Sequence, residues 1–125
     1  MLNHRAAAPD LDQLFHSLAD PTRRGMVERL GKKPLSVGEL AEPLKMSLPA
    51  VMQHLKVLEA SGLVRSEKQG RVRTCRLEES ALHAVQRWVN GRIQQWNDDL
   101  DRLEASLETE PAAPTQKKKP KGAKR

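Results

Sequence analysis

SLPAVMQHLKVLEASGLV, residues 47–64, followed without a break by RSEKQGRVRTCRL, residues 65–77, is the stretch whose reading decides the fold. A serine oxygen at Ser47 can accept an orphan backbone N–H, and Pro49 near the start of a helix gives up no needed donor, so a helix is expected from Leu48. Val51, Leu55 and Leu58 recur at helical spacing and form its buried side, which leaves Ala50, Gln53, His54 and Val57 on flanking or exposed faces. Gly62 stands where a left-handed residue ends a helix. Beyond it the period changes, and Val64, Val72 and Leu77 fit two strands around a turn at Gln69-Gly70. Helix, stop and basic hairpin follow one another in the order that a winged helix requires.

The residues upstream supply the rest of that fold. Leu11, Leu14, Phe15 and Leu18 make one helical stripe ending near Ala19. Asp20-Pro21 then offers a cap and a first-turn proline for a second helix, with Met26, Val27 and Leu30 inward and Gly31 as its stop. Ser36 and Glu39 have capping-box spacing, and Val37, Leu40, Ala41 and Leu44 give a third short helix its apolar side. Pro43, late in that helix, removes one N–H and is expected to loosen its end. The third helix, a short turn at Lys45-Met46 and the Ser47 helix make a helix-turn-helix, whose second member normally lies in the DNA major groove. The fold class expected is mainly α with a small β-hairpin.

From Ser80 onward Leu82, Val85, Val89, Ile93, Trp96, Leu100, Leu103 and Leu107 alternate in steps of three and four. A stripe that long on a terminal helix exceeds what a small winged-helix core can cover, so a partner helix from a second copy is expected, helped by the stripe at Leu11, Leu14, Phe15 and Leu18. Trp88 and Trp96 fit core or interface packing, with a small-ligand pocket at the dimer seam as the other use. The domain expected spans residues 10–107. Residues 1–9 read as a flexible arm and residues 108–125, which include KKKPKGAKR, as a disordered basic tail.

Charge is divided along the chain. Residues 1–77 carry 13 Lys/Arg against 8 Asp/Glu, residues 78–116 carry 3 against 8, and residues 117–125 carry 6 against none. The net charge of +6 therefore equals that of the last nine residues, and the basic first part is the candidate nucleic-acid face. One cysteine, Cys75, excludes an internal disulfide framework and suits a reducing compartment, with the cytoplasm as the expected location. No apolar run approaches the roughly twenty residues that span a bilayer, and the N-terminus lacks the apolar core of a secretory signal, so no membrane role is expected.

An α-helix fits the major groove, and its first turns bring side chains to base edges. Gln53 can pair with an adenine edge, His54 can donate to a base or a phosphate, and Leu48, Pro49 and Ala50 can touch thymine methyls. Lys56, Lys68, Arg71 and Arg73 are candidates for phosphate contacts or a minor-groove probe at the wing tip. His4, His16, His54 and His83 show no metal-ligand spacing, and no cofactor is expected. Ser47 and His54 lie two helical turns apart, too far for a nucleophile and its base, and there is no phosphate loop, so no enzyme activity is expected. Cys75, in the second hairpin strand, reads as a half-buried inert thiol before it reads as a redox switch.

DPTRRGMVERL (20–30), SVGELAEPLKMSLPAVMQHLKVLEASGLV (36–64) and GRVRTCRL (70–77) together resemble the ArsR family of bacterial winged-helix transcriptional repressors, over about residues 10–107. The resemblance implies a homodimer paired through first and last helices and bound to operator DNA. It implies DNA contacts from Ser47, Leu48, Pro49, Ala50, Gln53, His54 and Lys56, with Arg71 and Arg73 from the wing. Metal-sensing members carry a Cys-x-Cys where this chain has Ser36, Val37 and Gly38, so the resemblance is to the metal-independent branch. Met52 stands where the family commonly has serine. The expectation is a homodimeric repressor on a palindromic operator, with an effector that the residues do not name. Its rivals are an architectural DNA-coating protein without sequence preference and a thiol- or metal-responsive repressor acting through Cys75.

Overall fold

The computed structural model describes residues 10–108 of the chain. The arm at 1–9 and the basic run at 117–125 lie outside the described residues. Two compact units divide the chain, the first ending at Trp88 and the second beginning at Val89.

In the first unit, α1 (Leu11–Leu18), α2 (Pro21–Leu30), β1 (Leu35–Ser36), α3 (Val37–Ala41), α4 (Leu48–Ser61), β2 (Val64–Gln69) and β3 (Val72–Leu77) precede the start of α5 (Glu79–Glu108). The caps explain where the helices begin. Asp10 accepts the Asp12 and Gln13 N–H groups at 2.9 and 3.3 Å, Asp20 accepts that of Arg23 at 3.0 Å, and Ser47 accepts that of Ala50 at 3.3 Å. Ser36 and Glu39 close a full capping box, at 3.1 Å for the serine oxygen and 2.8 Å for the glutamate. The hydrogen bond from the Ser36 N–H is the main reason that the Glu39 carboxyl sits below its ordinary value. These are the winged helix-turn-helix elements that the sequence predicts.

Two features depart from that expectation. The hairpin is joined by β1, which pairs antiparallel with β3 to give the strand order β1-β3-β2, with Leu35 opposite Cys75. The third helix ends at Ala41, before Pro43 and Leu44. Proline at 43 has no N–H for the Glu39 carbonyl, and that vacancy is filled by Arg29, which donates to the Glu39 oxygen at 2.7 Å and to the Leu40 oxygen at 2.8 Å. A side chain from α2 thus terminates α3.

Leu14, Met26, Val27, Leu30, Leu35, Leu40, Val51, Leu55, Leu58, Leu63, Val64, Cys75, Ala81 and Ala84 form the core. Leu14 was expected on a dimer seam, but it is fully buried within its own chain. The α1 stripe is wide enough that its centre faces the core while Leu11 and Leu18 pack at the margin and Phe15 stays exposed. Leu82 and Val85 on the first turns of α5 are also partly buried against that core.

The second unit contains the remainder of α5. Val89, Ile93, Trp96, Leu100, Leu103 and Leu107 are all exposed there. Glu108, expected in the tail, is still helical. Among the described residues no helix is long and apolar enough to cross a membrane.

Candidate nucleic-acid interface

The candidate reading helix α4 is fixed along its length by its own sequence. Val51, Leu55 and Leu58 are essentially without solvent contact, which anchors one side of the helix in the core. Its N-terminus is held by the Ser47 cap with Pro49 in the first turn. At its C-terminus Gly62 takes φ 87°, and the Leu63 N–H returns to the Leu58 carbonyl at 3.1 Å, so the chain turns sharply into β2. Leu58 and Leu63, both fully buried, pack on the two sides of that turn.

On the other side of α4, Ser47, Leu48, Pro49, Gln53 and Lys56 are exposed and Ala50 is half-buried, so these predicted residues share one open face. Lys68, Arg71 and Arg73 are exposed on the wing, whose register pairs Lys68 with Arg73 and Gln69 with Val72 around the turn. Gly70, at φ 65°, supplies the left-handed residue that this turn needs. Between the start of α3 (Ser36, Val37, Gly38), Met52 of α4 and the wing residues Lys68, Arg71, Val72 and Arg73 lies an open cleft of about 350 Å³. Its lining holds three cations and no carboxylate. A groove of that composition favours a polyanion's backbone.

Arg73 donates to Ser66 Oγ at 3.0 Å, and Ser66 in turn donates to the Glu59 carboxylate. The wing strands are thereby tied to the last turns of α4. At the base of the wing, Arg65 and Glu78 form an ion pair at 3.0 Å.

His54 is the predicted contact whose placement differs most. Its side chain is only 20% exposed, because its Nδ1 lies 3.2 Å from Arg23 Nη1 and 3.9 Å from Asp20 Oδ2. It is turned toward the α1–α2 junction and engaged within the protein. Sequence reasoning missed this because the partner lies 31 residues away on another helix; it noted Met52 only as a departure from the family's serine and gave Val72 no role beyond its strand, yet these apolar residues are 38% and 51% exposed and line the cleft.

The Asp20 carboxyl is held below its ordinary value, chiefly by the Arg23 N–H it accepts. Cys75 is fully buried, and burial together with the nearby Glu59 charge pushes its thiol up to about 11. Among the described residues, no three His, Cys, Asp or Glu side chains converge as metal ligands would. Ser36 is committed to the α3 cap.

Residues 18–67 match a family model described as a helix-turn-helix domain. Over 74 residues the chain is 49% identical to the HTH-type transcriptional regulator Rv2034 of Mycobacterium tuberculosis, a match covering 59% of this chain and 69% of that one. It is 24% identical over 90 residues to the transcriptional repressor SdpR of Bacillus subtilis, covering 72% of this chain and all of that one. Among solved structures, the crystal structure of the ArsR family transcriptional regulator RHA00566 superposes with a TM-score of 0.68 at 46% identity, covering 70% of this chain and 96% of that one.

Proposed function

The chain belongs to the ArsR family of winged helix-turn-helix, DNA-binding transcriptional regulators, and from that premise we propose that it is a homodimeric repressor which occludes a promoter by binding a palindromic operator. The observation that carries this reading is the open face of α4 beside a cleft lined by Lys68, Arg71 and Arg73 without a carboxylate. Gln53, exposed on the second turn of α4, reads a base edge, and the exposed Leu48 and Pro49 meet thymine methyls. Lys56, Lys68, Arg71 and Arg73 hold phosphates, and the N-cap Ser47 and Ala50 line the approach. His54 serves α4 from behind.

Pairing uses the exposed apolar residues Phe15, Val89, Ile93, Trp96, Leu100, Leu103 and Leu107, with Leu11, Leu18, Leu82 and Val85 at the margin of the core. Six large apolar side chains in a row on one helix are more than a monomer in water leaves uncovered. The repressor name of a relative matched along its whole length supports repression rather than activation. Signal reception is metal-independent and does not run through Cys75, whose buried, proton-retaining thiol is a poor nucleophile and a poor ligand. The protein acts in the cytoplasm, without enzymatic activity.

Selection of bound duplexes from a random pool at physiological salt tests the reading. Enrichment of a palindrome, with a complex mass of two protomers per duplex, supports it. Equal binding of all duplexes would replace it with a DNA-coating protein.

A further inference from the structure

Helix α1 ends at Leu18, where the Ala19 N–H reaches the His16 carbonyl at 3.1 Å, and α2 adds two arginines to the carbonyls of this end. Arg24 donates to the Leu18 oxygen at 2.8 Å. Arg23 does more, since its Nε donates to the Ser17 oxygen at 2.8 Å and its Nη2 to the His16 oxygen at 3.1 Å. Two carbonyls of one helix end therefore hold a planar, rigid guanidinium at two points. The direction of its remaining Nη1 is then fixed, and Nη1 lies 3.2 Å from His54 Nδ1 on α4.

Arginine carries donors alone and keeps its charge, so the contact exists only if Nδ1 accepts. That requirement makes the His54 ring neutral, with its proton on Nε2. A second proton would set two donors and two like charges 3.2 Å apart. The groups facing the ring are known from each element packed there. From α2 come Arg23 and, at its cap, Asp20, whose carboxylate is 3.9 Å away and already accepts the Arg23 N–H. From α1 come the His16 and Ser17 carbonyls that the same guanidinium occupies. On α4 itself the neighbours three and four positions away, Ala50, Val51, Val57 and Leu58, are uncharged.

We propose that Arg23 is a positioning residue for DNA binding, gauging α4 against the end of α1 through His54 Nδ1, and that α4 is set for its operator only while His54 is neutral. The inference rests on α4 being the DNA-reading helix. It predicts a sign opposite to plain electrostatics. A histidine beside a polyanion gains affinity when it protonates; here protonation expels Arg23 and affinity falls.

The experiment uses the full chain and a duplex taken from the random-pool selection, with anisotropy titrations at fixed salt from about pH 8 down to about pH 5, the range where histidine changes charge. Wild-type affinity should fall about tenfold toward acid, the worth of one charge-assisted hydrogen bond. His54→Asn keeps an acceptor near the Nδ1 position but cannot titrate, so it should bind within about twofold of wild type at the upper end of that range and lose the acid drop. His54→Leu should bind about tenfold more weakly at every pH. Arg23→Lys, a point charge that cannot serve three acceptors, should resemble His54→Leu, while His16→Asn should leave the profile intact. Nitrogen-15 spectra of the free wild-type protein should find the His54 proton on Nε2. A proton on Nδ1, tighter binding in acid, or an acid drop that persists in His54→Asn overturns the inference. Failure of every duplex to bind would instead remove the DNA reading itself, a different result, since the tautomer is read without DNA.

Discussion

Gly62 and Gly25 make a paired test of how the reading helix is terminated. A Cβ built at either position meets nothing within 4 Å, so steric crowding predicts that both tolerate alanine equally. Backbone conformation predicts opposite outcomes. Gly62 holds φ 87° at the end of α4, where an L-residue is disfavoured by roughly 1–2 kcal/mol. Part of that loss is offset, because alanine also restricts the unfolded chain, by about 0.4–1 kcal/mol. Gly62→Ala should therefore destabilise by about 1 kcal/mol, lowering the melting temperature by roughly 4–8 °C for a domain of this size. Gly25 lies inside α2, where alanine is the better helix residue by about 0.8–1 kcal/mol, so Gly25→Ala should raise the melting temperature by a similar amount. Gly62→Asn should fall between wild type and Gly62→Ala, because asparagine tolerates the left-handed region.

The assay is thermal unfolding followed by circular dichroism at one fixed protomer concentration, since association would otherwise shift the midpoints. Operator affinity measured well below the transition should change little for Gly25→Ala. If the two alanine variants move in the same direction, or if Gly62→Asn is no better than Gly62→Ala, the account of the α4 to β2 turn is wrong.

Gln53→Ala should cost about 1–3 kcal/mol at one base pair and relax preference there, seen as a flattened position in repeated selection; a uniform loss across all duplexes would make Gln53 a backbone contact. Lys68→Ala and Arg71→Ala should each lower the slope of log affinity against log salt by about 0.9 while leaving sequence preference alone. Deleting Lys117 to Arg125 should lower that slope further, and an unchanged slope makes the tail a bystander. Cys75 should resist thiol reagents at neutral pH until the protein unfolds. Its folded thiol, at about 11, holds its proton more tightly than in the unfolded chain, near 9.0, so its contribution to stability is full below the lower value and lost as pH rises toward the upper one. Cys75→Ser should weaken that alkaline loss, as read from denaturant midpoints.

What was legible in the sequence is what local chemistry dictates. Ser47, Pro49 and Gly62 bracket α4 within a residue, and Asp20-Pro21 and Ser36 with Glu39 do the same for the starts of α2 and α3. The features that escaped depend on distant partners. β1 is Leu35 and Ser36, too short to carry a period, and it becomes a strand because Cys75 and Thr74 lie opposite. The end of α3 was placed too late because the donors that replace the missing proline N–H come from Arg29, on α2. Leu14 and Phe15 are adjacent in one stripe, yet the first is buried and the second 40% exposed, a division made by what packs above them. The candidate DNA face follows the same rule: Gln53 and Lys56 are exposed where helical geometry puts them, while His54, on the border between the buried and open sides, is drawn inward by a partner on α2.

The placement of Arg23 bears on how a repressor of this shape could release DNA without any change at the protein–DNA contacts. α1 is short, and both its end and its side are engaged. Its last carbonyls hold the guanidinium that reaches α4, and its Phe15 ring meets Trp88 of α5 edge-on at 5.5 Å and 75°. Phe15 and Trp88 are each partly exposed, at 40% and 44%, so whatever covers them in a dimer bears on α1 directly. A shift of α1 of about an ångström would carry hydrogen bonds of 2.8 to 3.2 Å beyond useful length, since such bonds weaken steeply with distance and angle. The same shift would cost the greasy contacts of Leu14 far less, because dispersion falls off gradually over many atom pairs. If Arg23 positions α4 as proposed, a displaced α1 acts on affinity through the few polar contacts around Arg23 before it acts through the core. An effector need only favour a different seat for α1, by a differential affinity of a kcal/mol or so, to change operator binding several-fold.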